Sequence, residues 1–262
     1  MGVVAEREEC AGGGHAVRLT IDNARKLNSL NRSLMIDIVD ALAQLEADPA
    51  LRLVILTGAG EYAFVGGADI NEIAALDRDS ARDFITLVHR CCDGVRRLPV
   101  PVIARIGGYA LGAGLELAAA CDLRVASERA MFGMPEVRIG IPSVVEAALL
   151  PQLVGYGRAR QLLLTGELIG AADALAWGLV DAVAEPDQLD AAVARFAAPI
   201  IASGPHAIRI QKALIRDWQE LPTSAAVARG IDAFTEAFDT DEPHRMAGER
   251  LAAMRQRQNE PG

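Results

Sequence analysis

The run LRLVILTG at residues 51–58 constrains the fold most, because it is almost continuously apolar and rich in strand-forming residues. A strand apolar on both sides belongs in the middle of a parallel sheet covered on both faces. It follows a helical stretch, SLMIDIVDALAQLEAD (33–48), with Leu34, Ile38, Leu42 and Leu45 on one face and Ser33 as its expected cap. Before that, AVRLTID (16–22) reads as a strand. A helix from about Ser80, the strand VPVIARIGG (100–108), a short helix around Glu116 and the strand DLRVAS (122–127) follow in turn. Alternation of this kind predicts an α/β fold with a largely parallel sheet.

Beyond residue 142 the strand signals thin out, leaving GLVDAVA (178–184) as a short candidate between helical segments. From Gly204 onward the pattern is helical, interrupted at Pro222 and Pro243. The expected organisation is an α/β core over residues 1–195 and a C-terminal helical region over 196–262. A chain of 262 residues can bury a large core. Its net charge of −9 argues against a nucleic-acid partner held by a basic field.

Cys10, Cys91, Cys92 and Cys121 show neither CxxC spacing nor the density of a secreted disulfide framework, so core thiols in a reducing compartment are expected. The N-terminal MGVVAEREEC lacks the basic start and apolar run of a signal peptide, and no apolar stretch is long enough to span a bilayer. The expectation is a cytoplasmic protein without a membrane segment. Phosphate-loop, zinc-protease and nucleophile-elbow motifs are absent from the sequence, and His15, His89, His206 and His244 are too scattered to suggest a metal cluster.

Glu116 is the residue that demands explanation. It sits in GGYALGAGLELAAACD (107–122), among glycines and alanines at the start of what reads as a buried helix. A carboxylate there is costly unless something uses it. A second glycine-bearing segment, GAGEYAFVGGADIN (58–71), has the same strand, loop and helix order. Such loops leave backbone N–H groups without helical carbonyls, and two of them converging would form an oxyanion hole. Taken singly, each segment is adequately explained as a tight turn.

Together the segments resemble the enoyl-CoA hydratase/isomerase (crotonase) family. The resemblance rests on FVGGADI (64–70), IGGYALGAGLELAAACD (106–122), FGMPEVRIGI (132–141), ARKLNSLN (24–31) and LLTGELIGAADALAWGLVDAV (163–183), in order along residues 16–257. It implies the crotonase (ClpP/crotonase-like) fold of repeated ββα units, whose C-terminal helical region builds homotrimers or dimers of trimers and covers the active site. It implies an acyl-CoA thioester substrate, with no metal or other cofactor, CoA entering as part of the substrate. By position, Glu116 and Glu136 match the catalytic glutamates, and Ala68 and Ala113 the two oxyanion N–H donors. Lys26 and the backbone near Gly66 would lie by the CoA moiety, while Ala68, Asp69, Ile70, Asn71 and Ala113 line the substrate channel. Arg255 and Arg257 read as a solvated helix face.

That assignment makes chemical sense of Glu116. Adding water across an α,β-unsaturated thioester needs a base at the water, an acid at C2 and donors for the carbonyl oxygen as it gains charge. Glu116 is expected to be the water-activating base and Glu136 the proton donor. Isomerase or other enolate chemistry is the alternative reaction. A non-catalytic binding protein is the alternative class, disfavoured by the presence of both glutamates. The chain departs from the family pattern at GIPSVVEAALLP (140–151), where Val144, Val145 and Glu146 replace small residues. The valines are expected to narrow the acyl pocket. Glu146 either joins that pocket or merely complements a helix N-terminus or faces a subunit interface.

Overall fold

The computed structural model describes residues 1–259, with side chains through residue 256. Two compact units compose it, Met1–Ala198 and a second beginning at Pro199.

In the first unit the strands form two sheets. The larger contains β1 (Gly2–Glu9), β2 (His15–Asp22), β3 (Leu51–Gly58), β5 (Val102–Ile106), β7 (Leu123–Ser127) and β10 (Ala182–Ala184), hydrogen-bonded in that order. All neighbours are parallel except β1 and β2. The smaller contains β4 (Ala63–Val65), β6 (Tyr109–Leu111), β8 (Met131–Gly133) and β9 (Leu168–Gly170). Thus β3/β4, β5/β6 and β7/β8 each contribute one strand to either sheet before the chain turns into helix, giving repeated ββα units.

The continuous apolar run is a central strand: β3 lies between β2 and β5, and seven of its eight residues are buried. Helix α1 (Arg32–Glu46) buries Leu34, Ile38, Leu42 and Leu45 as its periodicity predicts. Asn31, rather than Ser33, caps it by accepting the Leu34 N–H at 2.9 Å. Asp77 caps α3 (Arg78–Arg97) in a reciprocal capping box with Ser80, two residues before the expected start. Phe64 and Phe132, each fully buried, join the two sheets to this core. Truncating either to alanine would cost roughly 3–5 kcal/mol.

β1 has no counterpart in the sequence reading, because Glu6, Arg7, Glu8 and Glu9 are all exposed and this edge strand shows no alternation of apolar and polar residues. The strand read at 178–184 is confined to β10, since Gly178 takes positive φ as the C-cap of α6 (Ala171–Trp177). The first unit also holds α2 (Ile70–Ala74) and α5 (Leu150–Thr165), and α7 (Leu189–Ala202) crosses its boundary.

The second unit holds α8 (Pro205–Glu220), α9 (Thr223–Glu236) and α10 (Glu242–Asn259). Pro222 caps α9 and Pro243 sits in the first turn of α10, so both prolines mark helix starts. Glu242, buried at the head of α10, accepts the His206 and Ala207 N–H groups and so satisfies the start of α8. Arg255 is exposed, and the Arg257 side chain lies outside the described residues. Among the described residues no helix is long and apolar enough to cross a membrane.

Candidate active site

Parallel strands that end together place their following loops side by side. β4 and β6 are parallel neighbours, so the 66–69 and 112–113 backbones leave the small sheet at the same end. Gly67 turns the first at φ +110° and Gly112 the second at φ +51°, conformations that glycine adopts without steric cost. The approach is close: a Cβ on Gly114 would run into the Val65 carbonyl.

Two backbone donors emerge from this arrangement. Leu30 forms an isolated parallel bridge with Ala68, donating to the Gly67 carbonyl and accepting the Asp69 N–H, both at 2.8 Å. A residue bridged in that way turns its own N–H to the opposite side. Ala113 opens α4 (Ala113–Ala120), whose first helical bond is donated by the Glu116 N–H to the Gly112 carbonyl. Its N–H therefore precedes any intrahelical partner. Both alanines line one cavity of about 1280 Å³, and so do Lys26, Gly66, Asp69, Ile70, Asn71, Glu116 and Glu136. Every residue matched to the catalytic, oxyanion and substrate-binding positions meets there.

Asn28 and Asp69 brace the first loop. Asn28 is fully buried at φ +55° and donates to the Ala59 and Ala63 carbonyls while accepting the Asn23 N–H. Asp69 accepts from Lys26 Nζ at 3.0 Å and from the Asn71 N–H at 2.9 Å. The Lys26 hydrogen bond, followed by that of the Asn71 N–H, holds its carboxyl below the usual carboxylate range.

The two glutamates have different surroundings. Glu116 is buried on α4, and burial first, then the Glu136 and Glu146 charges, push its carboxyl up to about 8. Hydrogen bonds from the Ala147 and Val144 N–H groups pull the other way. Glu136 lies in the short 3-10 turn Pro135–Ile139, half-buried, and accepts the Ser143 hydroxyl at 2.7 Å through Oε2. Its Oε1 occupies the space where a Cβ on Gly112 would stand. Ser143, which the sequence reading did not single out, also lines the cavity. No local signal distinguishes it from a loop serine.

The departure at 140–151 resolves differently for its three residues. Val144 lines the cavity, as expected of a pocket-narrowing valine. Val145 packs instead against the core, at φ +38°. That backbone is strained for a β-branched residue, at a cost of about 1–3 kcal/mol. Glu146 does not line the cavity. It is 4% exposed, and His89 Nδ1 on α3 donates to its Oε1 at 2.9 Å. Of the two readings open for Glu146, the one that places a third carboxylate in the acyl pocket is ruled out: the turn at Val145 directs Glu146 away from the cavity.

The cavity's other surfaces divide by chemistry. Ile73, Leu76, Phe84, Ile85 and Val88 supply an apolar lining, and Lys26, Arg78, Arg82 and Arg138 supply cations. The cysteines contribute no nucleophile: all four are free thiols, and burial drives Cys91 up to about 12.

Comparison with known proteins agrees with this geometry. A family model described as enoyl-CoA hydratase/isomerase matches residues 13–256. A crotonyl-CoA hydratase of Syntrophomonas wolfei is 37% identical over 241 residues, covering 92% of this chain and 91% of the relative. A short-chain-enoyl-CoA hydratase of Clostridium acetobutylicum is also 37% identical, with 92% and 90% covered. The crystal structure of an enoyl-CoA hydratase from Bacillus anthracis superposes with a TM-score of 0.88 at 32% identity, covering 98% of this chain and 97% of that one. The repeated ββα units are thus those of the crotonase fold, and the chain belongs to the enoyl-CoA hydratase/isomerase family.

Proposed function

We propose that this protein is an enoyl-CoA hydratase, a hydro-lyase that adds water across the α,β double bond of an acyl-CoA thioester. The observation that carries this reading is the convergence of Glu116, Glu136, Ala68 and Ala113 on one cavity. The thioester oxygen is held by the Ala68 and Ala113 N–H groups, where negative charge develops as water attacks C3. In hydration Glu116 takes a proton from water as its oxygen bonds to C3, and Glu136 gives its proton to C2. The step starts with Glu116 ionised and Glu136 protonated, and ends with the proton on Glu116. That final distribution is the one burial favours in the resting enzyme. Exchange of the proton between the two carboxyls through water restores the starting form, and dehydration runs the same steps in reverse.

The remaining parts of the site follow from the substrate's shape. Lys26 and the Gly66 backbone lie along the CoA moiety, Asp69, Ile70 and Asn71 line the channel, and Val144 with its apolar neighbours bounds the acyl group. Apart from CoA, carried in as part of the substrate, the reaction uses neither a metal nor a further cofactor. The protein assembles as homotrimers or dimers of trimers in the cytoplasm. In support of assembly, α9 leaves Val227, Ile231 and Phe234 exposed at one helical spacing. The test is loss of the conjugated-thioester absorbance of trans-2-enoyl-CoAs with chelator-treated protein. Turnover without added metal supports the reading, and activity that appears only on metal addition overturns it.

A further inference from the structure

Glu146 is an anomaly that the hydration chemistry leaves unused. It is buried 57 positions along the chain from its partner His89. Its Oε2 is buried without a hydrogen-bond partner among the described residues. Evolutionarily cheap alternatives, an apolar side chain or a small one, would remove that orphaned oxygen, so the carboxylate has to be explained by what it does to its neighbours.

Those neighbours include Glu116. Glu146 lies in the 3-10 turn Val145–Leu149, which packs on both α4 and α3. The turn is closed by the Ala147 N–H, which donates to the Val144 carbonyl at 2.9 Å, and it packs against the helix that carries Glu116. The strained Val145 between them turns Val144 toward the cavity and Glu146 away from it. His89, on the half-exposed face of α3, fixes the Glu146 end of this turn.

We propose that Glu146 and His89 are positioning residues for Glu116: the pair anchors the 145–149 turn against α4, and the buried Glu146 carboxylate sets the charge on the wall behind Glu116. The catalytic part of this proposal rests on the hydratase reading; the electrostatic part does not. The ionisable groups around Glu116 and Glu146 are Glu136 on its 3-10 turn, His89 with the Cys91 and Cys92 thiols on α3, and Cys121 at the end of α4. Arg90 acts on Cys91. Burial keeps the Cys91 and Cys92 thiols neutral, so Glu136, Glu146 and His89 are the groups that set the field.

Two substitutions alter that field while leaving every cavity-lining residue in place. Glu146→Gln removes the charge and keeps the shape. His89→Lys, at a position 48% exposed, places a fixed cation against Glu146. Both should lower the midpoint of the Glu116 carboxyl by roughly half to one pH unit. The midpoint is read by carbon-13 NMR in the resting enzyme, with the resonance assigned by its loss in Glu116→Gln, and again as the alkaline limb of kcat/KM for hydration. His89→Ala should cost about tenfold in kcat/KM by loosening the anchor, and His89→Gln, which retains a donor, should restore most of it. An NMR midpoint unmoved in both charge variants overturns the proposal, and because His89 is half-exposed its variant decides the matter even where Glu146→Gln does not fold. Full hydration by Glu116→Gln would instead overturn the catalytic reading, while the NMR titration still decides the electrostatic one.

Discussion

Glu136 occupies the volume that a side chain at position 112 would need. A Cβ built on Gly112 runs into Glu136 Oε1, and the residue holds φ +51° at the start of α4. The second carboxylate is therefore seated against the backbone that presents the Ala113 N–H, and glycine at 112 is a requirement of the site's geometry as well as of its turn.

Gly112→Ala follows directly. The added methyl displaces Glu136 and strains a positive φ, so kcat/KM should fall by about 10²-fold or more and stability by roughly 1–3 kcal/mol. Steady-state kinetics beside a urea midpoint checks both.

Ser143 is the group that orients Glu136 from the other side, with its hydroxyl 2.7 Å from Oε2. Hydrogen bonds to charged groups contribute about 1.5–3 kcal/mol. Ser143→Ala should lower kcat/KM by roughly 10- to 100-fold with little effect on the urea midpoint, and Ser143→Thr should recover part of the loss.

The burial of Glu116 has a cost that depends on pH. Its folded carboxyl titrates at about 8, against an ordinary 4.5, so folding favours the protonated form. Its stability contribution is complete below about 4.5 and is lost as pH rises toward and through 8. At pH 9 the penalty is up to roughly 4–5 kcal/mol, and Glu116→Gln should unfold at higher temperature than the wild type there while matching it at pH 4. In the wild type, kcat/KM for hydration should fall on the alkaline side with a midpoint near 8, as the shared proton is lost.

Val144 tests the acyl end of the cavity. Val144→Ala should shift the kcat/KM ranking of a trans-2-enoyl-CoA panel toward longer or branched acyl groups, by about 10-fold for the pair that changes most. A common loss across the panel, with the ranking kept, would show that Val144 does not bound the acyl group.

The sequence made the site more legible than the scaffold. Glu116 stands out because a carboxylate among glycines and alanines is expensive, and the paired glycine segments identify the backbone that faces it. β3 was readable as a doubly covered strand from its apolar run. The strands of the smaller sheet were not, since β4, β6, β8 and β9 have three residues each and show no periodicity. The Glu146–His89 contact was hidden for a different reason: it joins residues far apart in the chain, and the turn that separates Val144 from Glu146 depends on a φ that a valine seldom adopts. The expectation that both valines narrow the pocket held for Val144 and failed for Val145 at that single backbone angle.

The most direct test of the account is the division of labour between the two glutamates. Hydration of a trans-2-enoyl-CoA and migration of a 3-enoyl-CoA double bond should be measured side by side in wild type, Glu116→Gln and Glu136→Gln. The account predicts that Glu136→Gln loses both reactions by about 10²- to 10⁴-fold, whereas Glu116→Gln loses hydration to that extent and retains more of any double-bond migration. Wild-type rates of hydration in both variants would contradict it.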